Sequence, residues 1–143
     1  MIDKNIQRLK HIVKYCEKIS SAIQGFDKAG AIFFDEKNYR YRDLVSFYLL
    51  QIGELSNGLT DDFKQVHVDI PWREIRGFRN IVAHKYGTID RTVLWEIAQN
   101  DVPVLNHKCR HLIRVVDPTV EISLEKELSI EMGISKEDTF FER

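Results

Sequence analysis

Apolar residues recur at steps of three and four through nearly all of positions 1–116, and that period admits one class of fold. An α-helix turns once in 3.6 residues, so this spacing lays apolar side chains along one side and leaves the other polar. Four stretches carry it. Ile2, Ile6, Leu9, Val13, Cys16 and Ile23, with Ser20 in the remaining slot, predict a helix from Ile2 to about Gln24 that Gly25 stops. Leu44, Tyr48, Ile52, Leu55 and Leu59, widened by Val45 and Leu49, predict a second over about Tyr41 to Asn57, closed at Asn57-Gly58. Pro71 opens a third, where its missing N–H costs nothing, and the helix runs from Trp72 to Tyr86 before Gly87. Gly77 inside it costs up to about 1 kcal/mol relative to Ala, which close approach of another helix would explain. Asp90 caps a fourth, through Leu94, Ile97, Ala98, Val102, Leu105, Cys109, Leu112, Ile113 and Val116, with a kink expected at Pro103.

The connections are short and polar. Ala29 to Phe34 reads as a turn of helix, Asp35 to Asn38 as a link, and Thr60 to Ile70 as a loop with a helical turn near Asp61 to Val66. No alternating pattern competes, and 7 Gly and 3 Pro in 143 residues argue against a loop-rich β or disordered chain. The expected fold is all-α, a four- to five-helix up-down bundle around one core.

Charge divides the chain in two. The formal net charge is −1, which taken whole speaks against a nucleic-acid partner. Residues 117–143 hold eight acids and three bases, however, so residues 1–116 carry a net +4. The expected organisation is a helical bundle over 1–116 and an acidic C-terminal extension over 117–143, with a short acidic helix at Ser123 to Met132 and exposed aromatics at Phe140-Phe141. Cys16 and Cys109 form no CxxC and read as reduced small hydrophobes. With no apolar signal core at the N-terminus and no membrane-length apolar run, a soluble cytoplasmic protein is expected.

One stretch suits phosphate chemistry: Arg79-Asn80-Ile81-Val82-Ala83-His84-Lys85-Tyr86. An arginine offers a planar fork of donors to a phosphate and to the charge of its transition state. A histidine moves a proton near neutral pH, and a tyrosine adds a hydroxyl and a flat face. Taken alone, the same residues also read as a helix end with a surface arginine and a capping histidine. Arg79 and Tyr86 fall about 20° apart around a helix, and Arg79 and His84 about 140° apart. One straight helix therefore does not let Arg79 and His84 grip one phosphate. Either the helix distorts before Gly87, or two chains share the site.

Other positions carry a sharp reading beside a plain one. Arg73 and Arg76 are candidates for flanking phosphates or for pairing with Glu74 or the tail. Glu54 either orients a motif arginine or is simply exposed. Asn38-Tyr39-Arg40-Tyr41-Arg42 interleaves bases and aromatics as single-strand binders do, although such runs more often start a helix whose aromatics pack inward. His107 and His111 lie one turn apart without a third ligand, which favours a solvated face over a metal site. Trp72 and Trp95 read as packing anchors.

Ile70-Pro71-Trp72-Arg73-Glu74-Ile75, Gly77, Arg79-Asn80, His84-Lys85-Tyr86, Ile89-Asp90 and Val93-Leu94-Trp95, with Gln51-Ile52-Gly53-Glu54-Leu55 upstream, resemble the HEPN superfamily and its HepT-like toxin branch over about residues 1–116. The resemblance implies a homodimeric helical bundle. It implies a metal-independent ribonuclease with its motif in a composite cleft, the toxin of a type VII-like toxin–antitoxin pair. It implies an antitoxin partner, a small nucleotidyltransferase of the MntA type, that adds AMP to the motif tyrosine. Carried over, Arg79 and His84 are catalytic, Asn80 and Glu54 support them, Tyr86 accepts AMP, and Arg73, Arg76 and Lys85 contact RNA, with no metal and no cofactor. The alternative is a non-catalytic helical dimer that holds a nucleotidyltransferase or its substrate. After Val116 the chain departs from the pattern.

Overall fold

Asp3 starts the first helix by accepting the backbone N–H groups of Asn5 and Ile6, at 2.9 and 3.4 Å. The computed structural model describes residues 3–27, 30–85 and 91–116, and at 32 and 81–85 the backbone alone. In order they form α1 (Lys4–Ala22), α2 (Ala31–Phe34), a 3₁₀ turn (Glu36–Asn38), α3 (Tyr39–Asn57), α4 (Asp61–Val66), α5 (Trp72–Lys85), α6 (Arg91–Glu96), a π turn (Ile97–Asp101) and α7 (Val102–Val116). No described residue lies in a strand, so the fold is all-α, with α1, α3, α5 and the α6–α7 pair as its long members. The expected Gly87 stop, the Asp90 cap and the whole 117–143 extension lie outside the described residues.

Helix α1 is central, packed on α3 and on α7, and α3 packs in turn on α5. Its buried side is Ile6, Leu9, Ile12, Val13, Cys16 and Ile19, so Ile19 fills the slot assigned to Ser20. Two side-chain amide bonds at 3.2 Å between Asn5 and Thr60 tie the start of α1 to the cap of α4. Cys16 and Cys109, on the facing α1 and α7, are both free and buried. Burial pushes both thiols up, Cys16 well above its ordinary value and Cys109 to about 12, so they pack as neutral groups.

Of the apolar stripe expected on α3, Val45, Leu49, Ile52 and Leu59 are buried and Tyr48 and Leu55 pack partly buried against the core, while Leu44 lies outside it. Val45, Leu49, Ile52 and Ser56 face the core, with Ser46 and Gly53 beside them, while Leu44 is 42% exposed and Phe47 51% exposed. This helix is apolar on more than one side, and shape decides between them. The face carrying Ser46, Gly53 and Ser56 lets neighbouring backbones come close, and the Ser56 hydroxyl is satisfied by donating to the Gly53 carbonyl at 2.9 Å.

The fourth predicted helix is interrupted where Pro103 required. Proline cannot donate to the carbonyl one turn back, and its ring crowds it. The chain widens into the π turn, and the Val102 N–H reaches back five residues to the Ile97 carbonyl. Upstream, Gly30 takes φ +71, and a Cβ there would strike the Trp95 indole at 2.7 Å. Trp95 is 5% exposed and packs on Phe33 and Phe26 with ring centroids 5.2 and 6.2 Å away. Trp72, half-buried, donates its Nε1–H to the His67 carbonyl at 3.0 Å. Both tryptophans are packing anchors.

Candidate functional site

The close helix contact that the sequence suggested at Gly77 is elsewhere. A Cβ on Gly77 would meet nothing within 4 Å. A Cβ on Gly53 would overlap the Cβ of Arg79 and lie 3.2 Å from its Cα. Gly53 thus brings α3 flush against α5 at the motif arginine. Nothing in the helical period reveals this, because Gly53 simply occupies one slot of the buried side.

The next residue along α3, Glu54, meets the Arg79 side chain there. The Nε–H of Arg79 donates to Oε1 of Glu54, in a pair whose side chains are 35% and 50% exposed. One of the five guanidinium N–H donors is committed to the carboxylate, which orients the plane of the group. The remaining four are chemically suited to a phosphate.

Around α5, Arg73, Asn80 and the backbone position of His84 lie within about 40° of one another, with Arg76 about 40° beyond. Arg73, Arg76 and Asn80 are exposed. Arg79 lies about 100° from Asn80, toward α3. The structure therefore joins Arg79 to Glu54 and sets them apart from the Arg73–Arg76–Asn80 side of the helix. The side chains of His84 and Lys85, and all of Tyr86, lie outside the described residues.

The structure adds one cation that the sequence did not single out. Lys64 on α4 has its pKa lowered, first by partial burial and then by the nearby positive charge of Arg76. Lys64 and Arg76 thus gather positive charge between α4 and α5.

The interleaved segment divides. Arg42 is structural, donating from one amino group to the Phe33 and Asp35 carbonyls at 2.7 Å each. Tyr41 packs edge-on against Phe26 with centroids 4.9 Å apart, yet stays 36% exposed, and Tyr39 is 54% exposed. His107 and His111 are exposed, and no group of three metal-ligating side chains occurs among the described residues. No described helix is long and apolar enough to cross a membrane.

Comparison with known proteins places the chain in a family. The chain is 39% identical over 71 residues to a "Putative RNase" of Methanocaldococcus jannaschii, covering 50% of this chain and 63% of that protein. It is 41% identical over 61 residues to a "Probable ribonuclease HepT" of Thermococcus cleftensis, covering 43% and 56%. A similarly named RNase of Caldanaerobacter subterraneus subsp. tengcongensis is 26% identical over 106 residues, covering 74% of this chain and 91% of that one. The matches to the first two thus span only about six-tenths of those relatives' length. No solved structure matches. The Ribonuclease HepT-like family model covers residues 6–112, which include most of α1, all of α3 and α5 and the Glu54–Arg79 pair, and the chain belongs to that family.

Proposed function

We propose that this protein is a metal-independent endoribonuclease that acts as a homodimer and serves as the toxin of a toxin–antitoxin pair. The observation that carries the reading is the Arg79 guanidinium, oriented by Glu54 where Gly53 brings α3 against α5. A fixed cation with donors to spare is what the charge developing on a phosphate in transfer requires. Membership of the Ribonuclease HepT-like family and the ribonuclease names of the relatives support the same chemistry.

In this reading two copies of the α5 end meet, and the scissile phosphate sits between the two Arg79 side chains. One His84 takes the proton from the RNA 2′-hydroxyl, and the 2′-oxygen attacks phosphorus. The bond to the 5′-oxygen breaks as the second His84 delivers a proton to it. The products are a 2′,3′-cyclic phosphate and a free 5′-hydroxyl. Asn80 supports the site, and Arg73, Arg76 and Lys85 hold flanking phosphates. No metal is required, because RNA brings its own nucleophile.

Neutralisation uses the same charges. A nucleotidyltransferase antitoxin adds AMP to Tyr86, whose anion occupies the donors of Arg79 meant for RNA. The purified protein is expected to cut RNA in EDTA, and His84→Ala to abolish cutting. Activity that dies with EDTA overturns the metal-free mechanism. Intact mass after co-expression with the antitoxin reads the AMP, and an adduct retained by Tyr86→Phe shows a different acceptor. Growth arrest on expression that Arg79→Ala relieves supports the toxin reading. Arrest that persists in that variant favours a binding module.

A further inference from the structure

The segment that starts α3 forms a second site, apart from the Glu54–Arg79 pair. Lys37, Asn38, Tyr39, Arg40, Tyr41 and Leu44 line a surface cleft of about 370 Å³. That volume lies in the range of small-ligand sites and suits one nucleotide rather than a long groove. Its walls combine tyrosine faces with cations: Tyr39 is 54% exposed and Tyr41 36% exposed, and Lys37 and Arg40 are exposed beside them. Among the described residues no hydrogen bond or ion pair engages the side chains of Lys37, Asn38 or Arg40. Arg42, by contrast, is held by the backbone carbonyls of Phe33, Asp35 and Glu36, and it fixes the turn that presents the other residues.

Two residues that line the cleft, Arg40 and Leu44, also lie on the side of α3 that carries Glu54. On α3, Arg40, Leu44, Phe47, Gln51 and Glu54 fall within about 40° of one line along the helix, and Arg40 lies about 21 Å from Glu54 on that axis. Of these, Arg40, Leu44, Phe47 and Glu54 are exposed and Gln51 is half-exposed. The span between the cleft and Glu54 is one that a few nucleotides of extended single strand cover.

From these observations we infer that the Lys37–Leu44 cleft is a base-stacking subsite that holds one nucleotide of a single-stranded RNA several nucleotides away from the Arg79 phosphate. Tyr39 supplies the stacking face, and Arg40 and Lys37 hold the adjoining phosphate. Stacking on tyrosine tolerates any base, because every base has a π face. The subsite therefore selects unpaired RNA over duplex, and length over sequence. This inference rests on RNA being the substrate of the proposed function.

The test measures binding and cutting separately on the full chain. A 5′-fluorescein single-stranded 12-mer with 2′-O-methyl riboses cannot be cut, and its anisotropy reports affinity alone. Tyr39→Ala and Arg40→Ala are each expected to weaken it between about fivefold and 100-fold, and Tyr39→Phe, which keeps the ring, to leave it unchanged. On cleavable RNA, Tyr39→Ala is expected to raise KM for a 12-mer at unchanged kcat, and to leave a dinucleotide substrate unaffected. Unchanged 12-mer affinity in both alanine variants overturns the subsite. So does a change of oligomeric mass in sedimentation without loss of RNA affinity, which would assign the face to a second copy of the chain. A wild-type chain that binds the 12-mer through Tyr39 but cuts no RNA overturns the proposed ribonuclease and leaves the subsite standing. A chain that neither binds nor cuts overturns both.

Discussion

The Nε–H of Arg79 on α5 donates to Oε1 of Glu54 on α3, one residue beyond the glycine that lets the two helices touch. Under the proposed function this pair makes Glu54 a positioning residue, since it would act on the phosphate only through the arginine. Misplacing a catalytic group by about an ångström costs on the order of 100-fold in rate. Glu54→Ala is expected to lower kcat for RNA cleavage by about that factor with little change in KM. Glu54→Gln, which keeps the accepting oxygen, restores part of it. Equal loss in both variants, or a loss carried by KM, would count against orientation.

Gly53 and Gly77 make a matched pair of tests on stability. Gly53→Ala places a methyl against Arg79 backbone and Cβ, neither of which can swing away, so a loss of about 1–3 kcal/mol is expected. Gly77→Ala meets open space within α5, and Gly77 does not take a positive φ, so the helix gains up to about 1 kcal/mol. Denaturant unfolding of the two proteins should bracket the parent chain. A neutral Gly53→Ala would mean that α3 and α5 are not in close contact.

Arg79→Lys preserves charge and removes the fork. A lysine cannot donate to Glu54 and still present a planar set of donors to phosphate. The expected loss is on the order of 100- to 1,000-fold in kcat with Tm nearly unchanged. Full activity in this variant would reduce the role of Arg79 to a point charge.

The buried thiols predict a stability profile at high pH. Cys109 ionises near 9 when unfolded and at about 12 when folded, so the folded state holds its proton more tightly. That stability is complete below pH 9 and drains as pH rises toward 12. Cys109→Ala is expected to unfold more easily at pH 7 and to lose less further stability between pH 9 and 11 than the parent. Parallel profiles would contradict the burial of the thiol. Native Cys16 and Cys109 should also resist alkylation until the protein unfolds.

Removing residues 119–143, which hold seven acids and three bases, leaves a basic body. RNA affinity is expected to rise at low salt, and the difference to shrink as salt screens it. An unchanged affinity at low salt would show that the extension exerts no field on the RNA-binding side.

The helices were legible because their period is local. Leu9, Val13 and Cys16 announce a buried side without reference to any other segment, and Pro103 announces a break wherever the helix lies. The motif was legible for the same reason, since Arg79 and His84 are spaced along one helix. The edge of the buried side of α3 was not, because Leu44 fits the same period as Tyr48 and Ile52 yet lies off the core. Ser46, Gly53 and Ser56 decide it by letting neighbours approach, and that depends on what the neighbour is. The Lys37–Leu44 cleft was visible only as a composition of bases and aromatics. Arg42 turning inward and Tyr39 facing outward separate its structural residue from its exposed one.

What the sequence by itself determined is the all-α class, the helix boundaries to within a few residues, and the residue types that suit phosphate chemistry. Each of these rests on interactions between positions a few residues apart. What only the tertiary structure decided is which glycine is a contact, that Ser46, Gly53 and Ser56 rather than Leu44 complete the core side of α3, and that Glu54, rather than a nearer acid in the chain, holds Arg79. Those depend on close packing between α3 and α5, where a difference of one methyl group settles the outcome.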